Sequence, residues 1–336
     1  MPTKPLVSIC IKSWNGRPYI REALAAAFAQ TYRPLEVAVV DDASDDGSWD
    51  EIRALCAARR DDPGVRVVAK RNDRNLGSLG NWEEVCSLAH GELLVKADGD
   101  DVSTPDRVEK IAAAWEADGR RALAICHSGW QMDRRGRRRG RLRQVTPGWP
   151  LGAAMAFSPR ILEFFGRTAD GSLVDDEVWT RRALMLGTVL TIPDRLVHYR
   201  LGSGETTNEW NIRAVVSHCT KLSLAAVRAA YGDAARLGKE DAAHWCARLE
   251  SEEARLLEKA SLVEGKTFRE RYAAFRKLWP GLEFSIANYL RIAFLVPRPL
   301  SNLMLFAYVL ARNFWRAVGR FDQTHRVCQR TVDGGL

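Results

Sequence analysis

The feature that most narrows the folds open to this chain is a regular beat of strand and helix. Apolar runs at Leu6–Ile11, Leu35–Val40, Val65–Val68 and Leu93–Val95 read as buried strands. Each gap between them carries one helical pattern. Ile20, Leu24, Ala27 and Phe28 share a face in a helix over Pro18–Gln30. Ile52, Leu55 and Cys56 do so in a helix that Ser48 can cap, and a third helix covers Ser78–Ala89. Four such alternations before Asp101 predict βαβ units in a largely parallel sheet, with right-handed crossovers that bring the strand ends to one edge. Open α/β sheets bind their ligands at those carboxyl ends.

The strand ends in question are acidic. The second strand runs out into Asp41 and Asp42. The fourth reads LLVKADGDD over Leu93–Asp101, an apolar run that stops in Asp98, Asp100 and Asp101 with Gly99 free to turn between them. Pro105 then suits the start of a helix. Carboxylates two residues apart at such a tip are hard oxygen ligands for Mg²⁺ or Mn²⁺, which bridge protein to substrate phosphates. The plainer reading is an exposed acidic turn. A third acidic group, Asp175-Asp176-Glu177, opens a helix over Leu173–Leu186, where carboxylates also complement the helix dipole.

Beyond the tip, Ala122–Cys126 reads as a fifth strand, Trp149–Phe157 as a loop entering a strand, and Ser158-Pro159 as a helix start. Val189–Ile192 and Leu196–Leu201 read as two further strands. From residue 205 the texture changes to long helical patterns over Glu209–Tyr231, Lys239–Val263, Thr267–Leu278 and Leu300–Val318. The expected division is therefore 1–204 and 205–336. A chain of 336 residues has room for both parts.

The net charge of +8 is local. Of 50 basic residues, seven (Arg134, Arg135, Arg137, Arg138, Arg139, Arg141 and Arg143) crowd one hairpin or loop, leaving 43 against 42 acidic. That argues against a nucleic-acid partner and for either a solvated basic loop or attraction to phosphates or an anionic surface. Seven scattered cysteines without C-x-x-C spacing speak against disulfides or zinc and fit a reducing cytosol. No run reaches the ~20 apolar residues of a spanning helix. Leu303, Met304, Phe306, Tyr308, Leu310, Phe314 and Trp315 with Arg312, Arg316 and Arg320 suggest either packing against the N-terminal part or an interfacial helix on anionic lipid.

Taken together, VSICIKSWNGRPYI, AFAQTYRPLEVAVVDDASDDGS and NLGSLGNWEEVCSLAHGELLVKADGDD followed by TPDRV resemble the family 2 glycosyltransferases of GT-A-type fold. The likeness continues more loosely through LVDDEVWTRRALMLG to VHYRLGSGETT, and so covers about residues 5–207. It implies an α/β, Rossmann-like, mostly parallel sheet flanked by helices, here with a C-terminal helical extension. It also implies a nucleoside-diphosphate sugar as donor (a UDP-sugar foremost), a divalent metal, Mn²⁺ or Mg²⁺, and inversion at the transferred sugar. By position, Asp42 would hydrogen-bond the nucleobase and Trp14, in place of the usual tyrosine, would stack on it. Asp98 would reach ribose or metal, Asp100 would bind the metal, and Asp176 would be the catalytic base. Lys12 departs from a small or proline residue. The tyrosine-arginine-x-histidine run is absent after Tyr199-Arg200, with His198 just before, either a metal or phosphate contact or a structural histidine.

The expected acceptor is a glycan or lipid-linked hydroxyl, in cell-envelope polysaccharide or glycolipid synthesis. The expected location is cytoplasmic, with peripheral contact at the inner face of the membrane, and the helical region is a candidate for homo-oligomer formation. A nucleotidyltransferase would want a glycine-rich, lysine-bearing loop after the first strand, where Ser13-Trp14-Asn15-Gly16-Arg17 stands. A non-catalytic nucleotide- or sugar-binding module would have no use for both Asp100 and Asp176. For Asp176, the carboxylates of Asp175 and Glu177 push the pKa up while the helix N-terminus pulls it down.

Overall fold

Each of the four apolar runs is a strand in the computed structural model, which describes residues 4–142, 145–146, 151–202 and 212–264 and isolated positions from 270 to 277. β1 (Val7–Ser13), β2 (Leu35–Asp41), β3 (Val65–Arg71) and β4 (Leu93–Asp98) lie in the order β3-β2-β1-β4, all parallel. Their first residues are level, Val7 with Leu35 and Leu93, and Leu35 with Val65. Their last residues are therefore level too: Lys12 opposes Asp98, Ser13 opposes Asp41, and Asp41 opposes Arg71. The acidic strand ends meet at one edge because the strands start in register.

Strand parity then decides which side chains face which helices. Val7, Ile9, Ile11, Val37, Val39, Leu93 and Val95 enter one core with α1 (Ile20–Phe28), α2 (Ser48–Ala57) and α4 (Arg107–Ala117). The alternate positions, Lys12 on β1 and Lys96 and Asp98 on β4, face the other side. There α3 (Gly77–Leu88) contributes Trp82, whose ring meets Phe157 at 6.0 Å and Trp179 at 5.3 Å. A lysine at the middle of a buried strand is tolerated on that side because carboxylates are waiting for it.

The sheet continues past β4 with mixed directions. β8 (Met155–Phe157) runs antiparallel between β4 and β6 (Ala124–Met132); β9 (Val189–Arg200) runs parallel to β6. Two-residue β5 (Val102–Ser103) is antiparallel to β9, and β7 (Arg138–Arg141) forms a hairpin with β6. Most paired residues lie in parallel ladders, as the alternation predicts. α5 (Arg160–Phe165) and α6 (Asp175–Leu186) complete this part.

Three local readings are corrected. The strands expected at Val189–Ile192 and Leu196–Leu201 are one strand. Pro193 does not end it, because Thr191 pairs with Cys126 and Arg195 with Ser128, so three β9 residues bulge past one on β6. Ser48 is not a side-chain cap but the first helical residue of α2; Asp46 Oδ1 accepts from its backbone N at 2.9 Å and its hydroxyl at 2.5 Å. β5, too short to show a period, escaped the sequence pattern altogether.

The chain divides into two compact units, Met1–Leu201 and Gly202–Leu336. In the second, α7 (Ile212–Ala234) and α8 (Lys239–Glu264) form an antiparallel pair. Ser217 meets Glu264 at 2.5 Å, and Arg228 meets Glu253 at 2.8 Å. The helix expected over Thr267–Leu278 is described only at Glu270, residues 272–274 and Lys277, and Leu300–Val318 and Arg143 lie outside the described residues. Among the described residues no helix is long and apolar enough to cross a membrane.

Candidate active site

Two lysines and two aspartates form the centre of the edge where β1 and β4 end. Lys96 Nζ, 1% exposed, lies 3.0 Å from Asp98 Oδ1 and 3.4 Å from Asp175 Oδ2. Lys12 Nζ, the cross-strand neighbour, lies 2.6 Å from Asp175 Oδ2 and 3.5 Å from Asp98 Oδ1, and donates to Ser78 Oγ at 2.6 Å. Lys96 and Asp98 meet because they are two apart on one strand face; Lys12 joins them through the β1–β4 register. Asp175 arrives from the first turn of α6.

Charge outweighs burial here. Burial alone would raise the Asp98 carboxyl, but Lys96 and Lys12 bring it down to about 2. Burial would likewise lower the Lys12 ammonium, yet Asp175 and Asp98 hold it well above the ordinary lysine value.

Asp176 has the opposite fate. Its Oδ2 accepts from the Gly152 backbone N at 2.9 Å, while its Oδ1 is buried without a hydrogen-bond partner. Burial first, then the carboxylates of Asp175 and Glu177, push its pKa up to about 7 against the pull of Lys96 and the Gly152 N–H. The competition left open by the sequence resolves upward, and burial, which no spacing reveals, is the largest cause.

The tip beside this cluster is fastened by Arg200, 1% exposed. Its backbone N donates to Asp101 Oδ1 at 2.7 Å and its Nε to the Asp100 carbonyl at 2.8 Å. Asp101 Oδ2 is buried and unpartnered, and burial followed by Asp100 and Asp98 raises its carboxyl well above the usual range. Asp100 is half-buried on the turn. Beneath, Arg107 is fully buried and donates to the carbonyls of Lys96 at 2.7 Å and Ala153 at 2.9 Å.

The remaining expected residues are dispersed along the same edge. Trp14, directly after β1, is 51% exposed, an aromatic face open to a ligand. Asp42 is buried with its carboxylate engaged: Oδ1 accepts from Asn72 Nδ2 at 2.8 Å and the Leu76 N at 2.9 Å, and Oδ2 from the Gly77 N at 3.1 Å. In this state it holds the loop that leads into α3. His198 sits on β9 opposite Val102 and Trp130, and burial and Arg138 lower its pKa.

Sequence reasoning missed Lys96, Arg107 and Arg200 as members of the site. Lys96 left a legible signal, a single charge inside LLVKA two residues before Asp98. The arginines stood inside quoted stretches, Arg107 in TPDRV and Arg200 after Tyr199, but nothing in the sequence points to the carbonyls of Lys96, Ala153 and Asp100 that they bind.

A half-parallel, half-mixed sheet flanked by helices, with carboxylates gathered at the strand ends, is the GT-A architecture, and the protein is a glycosyltransferase. It belongs to glycosyl transferase family 2, whose model matches residues 8–184, just over half of the chain. The chain is 31% identical over 113 residues to WcaA of Escherichia coli (strain K12), described as a glycosyl transferase of colanic acid biosynthesis; the match covers 34% of this chain and 39% of WcaA. It is 36% identical over 105 residues to an Escherichia coli chondroitin synthase, 31% of this chain and 14% of that protein. Similar solved folds are Staphylococcus aureus TarS 1-349 in complex with UDP-GlcNAc (TM-score 0.53, 16% identity, 98% of this chain and 92% of that one) and the mannosyltransferase PcManGT of Pyrobaculum calidifontis in complex with GDP-Man and Mn²⁺ (TM-score 0.55, 19% identity, 98% and 88%).

Proposed function

We propose that this transferase moves a sugar, with inversion, from a nucleoside-diphosphate sugar to a hydroxyl of a growing cell-envelope glycan or glycolipid. The observation that carries this is the half-buried Asp176 carboxyl at the start of α6 beside the Asp98–Asp175–Lys12–Lys96 cluster, its Oδ1 buried without a partner, its Oδ2 held by the Gly152 N–H and its pKa pushed up to about 7. A general base works best with a pKa near the working pH. In the proposed step Asp176 takes the proton from the acceptor hydroxyl. The acceptor oxygen forms its bond to the anomeric carbon as the bond to the diphosphate oxygen breaks, and the nucleoside diphosphate departs with that electron pair. The relatives named for colanic acid and chondroitin synthesis, and the nucleotide sugars in the TarS and PcManGT complexes, support the donor and acceptor classes.

Trp14 offers a stacking face for the base, and Asp42 a carboxylate at the next strand end, once loop 72–77 gives up one of its donors. The tip fits a divalent ion. Asp100 is a hard anionic ligand, the unpartnered Asp101 Oδ2 lies within the same turn, and Mg²⁺ or Mn²⁺ needs only one or two carboxylates alongside substrate phosphates and water. Asp98 joins that set by exchanging one ammonium partner. An ion held there supplies Lewis-acid stabilisation of the departing diphosphate. Among the described residues no cluster of three or more acidic, histidine or cysteine side chains forms a site without substrate. Residues 1–204 carry this chemistry in the proposal, and 205–336 supply arms for self-association or for peripheral contact with the inner face of the membrane.

The test is a thermal-shift panel of nucleoside diphosphates and their sugars, with and without Mn²⁺, followed by an assay of nucleoside diphosphate release on adding acceptor. Binding to the native state raises the melting temperature by mass action. Failure of every nucleotide to shift the transition, with or without metal, would remove the reading.

A further inference from the structure

The Arg134–Arg141 cluster that the fold leaves unexplained is built into the β6–β7 hairpin, next to the acidic tip. Arg134, Arg135, Arg137, Arg138, Arg139 and Arg141 are all exposed, and Asp133 is the one carboxylate among residues 133–141. Asp133 takes Arg139, with Nε at 2.8 Å, and Arg137, with Nε at 3.4 Å. Arg138 and Arg141, with Arg195 from β9, instead surround the Trp130 indole at 4.3, 5.9 and 5.2 Å from its centre. None of these three is paired with a carboxylate among the described residues. Three guanidiniums gathered on one ring repel one another, and an oxyanion with two or more acceptor oxygens, carboxylate or phosphodiester, relieves that repulsion where a single neutral hydroxyl does not.

The position of the hairpin gives this surface its use. Arg200 Nη1 donates to the carbonyls of Asp133 at 3.3 Å and Arg134 at 3.1 Å, while Nε of the same guanidinium donates to the Asp100 carbonyl. The arginine-bearing turn and the tip assigned to the donor are thus one guanidinium apart. Residues 133–141 contain only Asp, Arg and Gly, Leu142 after them is buried at 7% exposure, and the half-buried Trp130 ring lies under the guanidiniums, so this stretch presents charge and not an apolar side chain.

We propose that the 133–141 hairpin is the acceptor-binding surface of this enzyme and that it selects a polyanionic glycan, one bearing carboxylate or phosphodiester groups along its length. The proposal rests on the transferase reading above and names the acceptor class that reading leaves open. The terminal hydroxyl reaches Asp176, and the charged units behind it lie along Arg135, Arg138 and Arg141.

The probes are fluorescently labelled oligogalacturonate, a glycerol-phosphate oligomer and a neutral malto-oligosaccharide, read by anisotropy with the full chain. The anionic probes should bind and the neutral one should not, and binding should fall steeply between about 50 and about 500 mM NaCl as the Debye length shrinks. The triple variant Arg135→Gln/Arg138→Gln/Arg141→Gln should lose roughly ten- to hundredfold in affinity, since three exposed charges each contribute a few-fold at low salt. The matching Arg→Lys triple, which keeps the charge but not the fork, should bind with intermediate affinity, and a thermal melt of the Gln triple matching that of the wild type shows that its loss is not misfolding. Preference for carboxylate or phosphodiester probe identifies the anion. Equal binding of the neutral probe, no binding of either anionic probe, or undiminished binding by a folded Gln triple overturns the proposal. So does pelleting with phosphatidylglycerol vesicles in the absence of oligosaccharide binding, which would make the hairpin a membrane contact. Nucleoside diphosphate binding by the wild-type chain is measured separately: its absence with anionic glycan still bound sinks the transferase reading and leaves the hairpin result standing.

Discussion

Replacing Asp176 by Asn should make the protein more stable and nearly inactive. Asn keeps the size and can still accept from the Gly152 N–H, so the perturbation is the loss of one ionisable group. The wild-type carboxyl sits at about 7 instead of 3.8. At 1.36 kcal/mol per unit that places the cost of ionising it in the fold at ~4 kcal/mol, and roughly 2–3 kcal/mol after allowance for its partial exposure. The folded state keeps this proton to higher pH than the unfolded chain does. Between about pH 4 and about pH 7 the native state therefore binds more protons, and wild-type stability falls as pH rises through that window. The Asn variant lacks this slope. Urea unfolding should show the two proteins equally stable near pH 4 and the variant ahead by about 2–3 kcal/mol at pH 8. Transfer by the variant should fall ~10²–10⁴-fold, the usual contribution of a general base. Wild-type kcat/KM should rise with pH along a limb centred at about 7. A variant that transfers sugar at near wild-type rate with no stability gain at pH 8 would refute both the burial argument and the assignment of the base; Asp175→Asn and Glu177→Gln would then be the variants to examine.

Asp100→Asn should leave the melting temperature unchanged and make nucleotide-sugar affinity weak and insensitive to Mn²⁺ by calorimetry; intact metal-dependent turnover would contradict it. Lys96→Met removes the ammonium buried between Asp98 and Asp175 and should cost ~3–5 kcal/mol in urea unfolding at neutral pH, with Lys12→Met costing less because Lys96 remains; the reverse order would mean the wrong lysine has been placed at the centre. Trp14→Ala should weaken nucleoside diphosphate binding by about 1–3 kcal/mol, the worth of one base stack, without altering the fold. Gly171→Ala drives a Cβ into the Leu76 carbonyl and should destabilise by ~1–3 kcal/mol; thermal unfolding checks it.

What could be read ahead of the structure was whatever has a period or a short span. β1, β2 and β4 announced themselves as unbroken apolar runs because both faces of each are buried, and α1 and α2 by an apolar face that repeats every three to four residues. Asp98 and Asp100 were legible because a strand that ends in carboxylates is unusual. Asp176 was legible as a position but not in its chemistry: its pKa depends on burial and on Gly152, which comes from a loop with no pattern. Pro193 lies inside β9, and only the β6 register shows the bulge that accommodates it and joins the two stretches read as separate strands. Lys12 stood out as a departure from the family, yet its partner Asp175 lies far along the chain and only the fold brings them together.

Three fully buried arginines deserve a last consequence. Arg107 joins the backbone at Lys96 and Ala153, Arg182 joins Glu83 to the Gly166 carbonyl at 3.1 and 3.2 Å, and Arg200 joins the tip to the hairpin turn. Each fork joins segments that are distant in sequence and holds them in a geometry that the point charge of a lysine cannot reproduce. The sheet and the workplace beside it are therefore held by different forces. Loss of one guanidinium unclasps the loops beside the sheet and, at Arg182, also leaves the buried Glu83 carboxylate without its cation. Lysine at any of these three positions keeps the charge and loses the fork, so such variants should turn over poorly while losing less stability than the corresponding methionine variants.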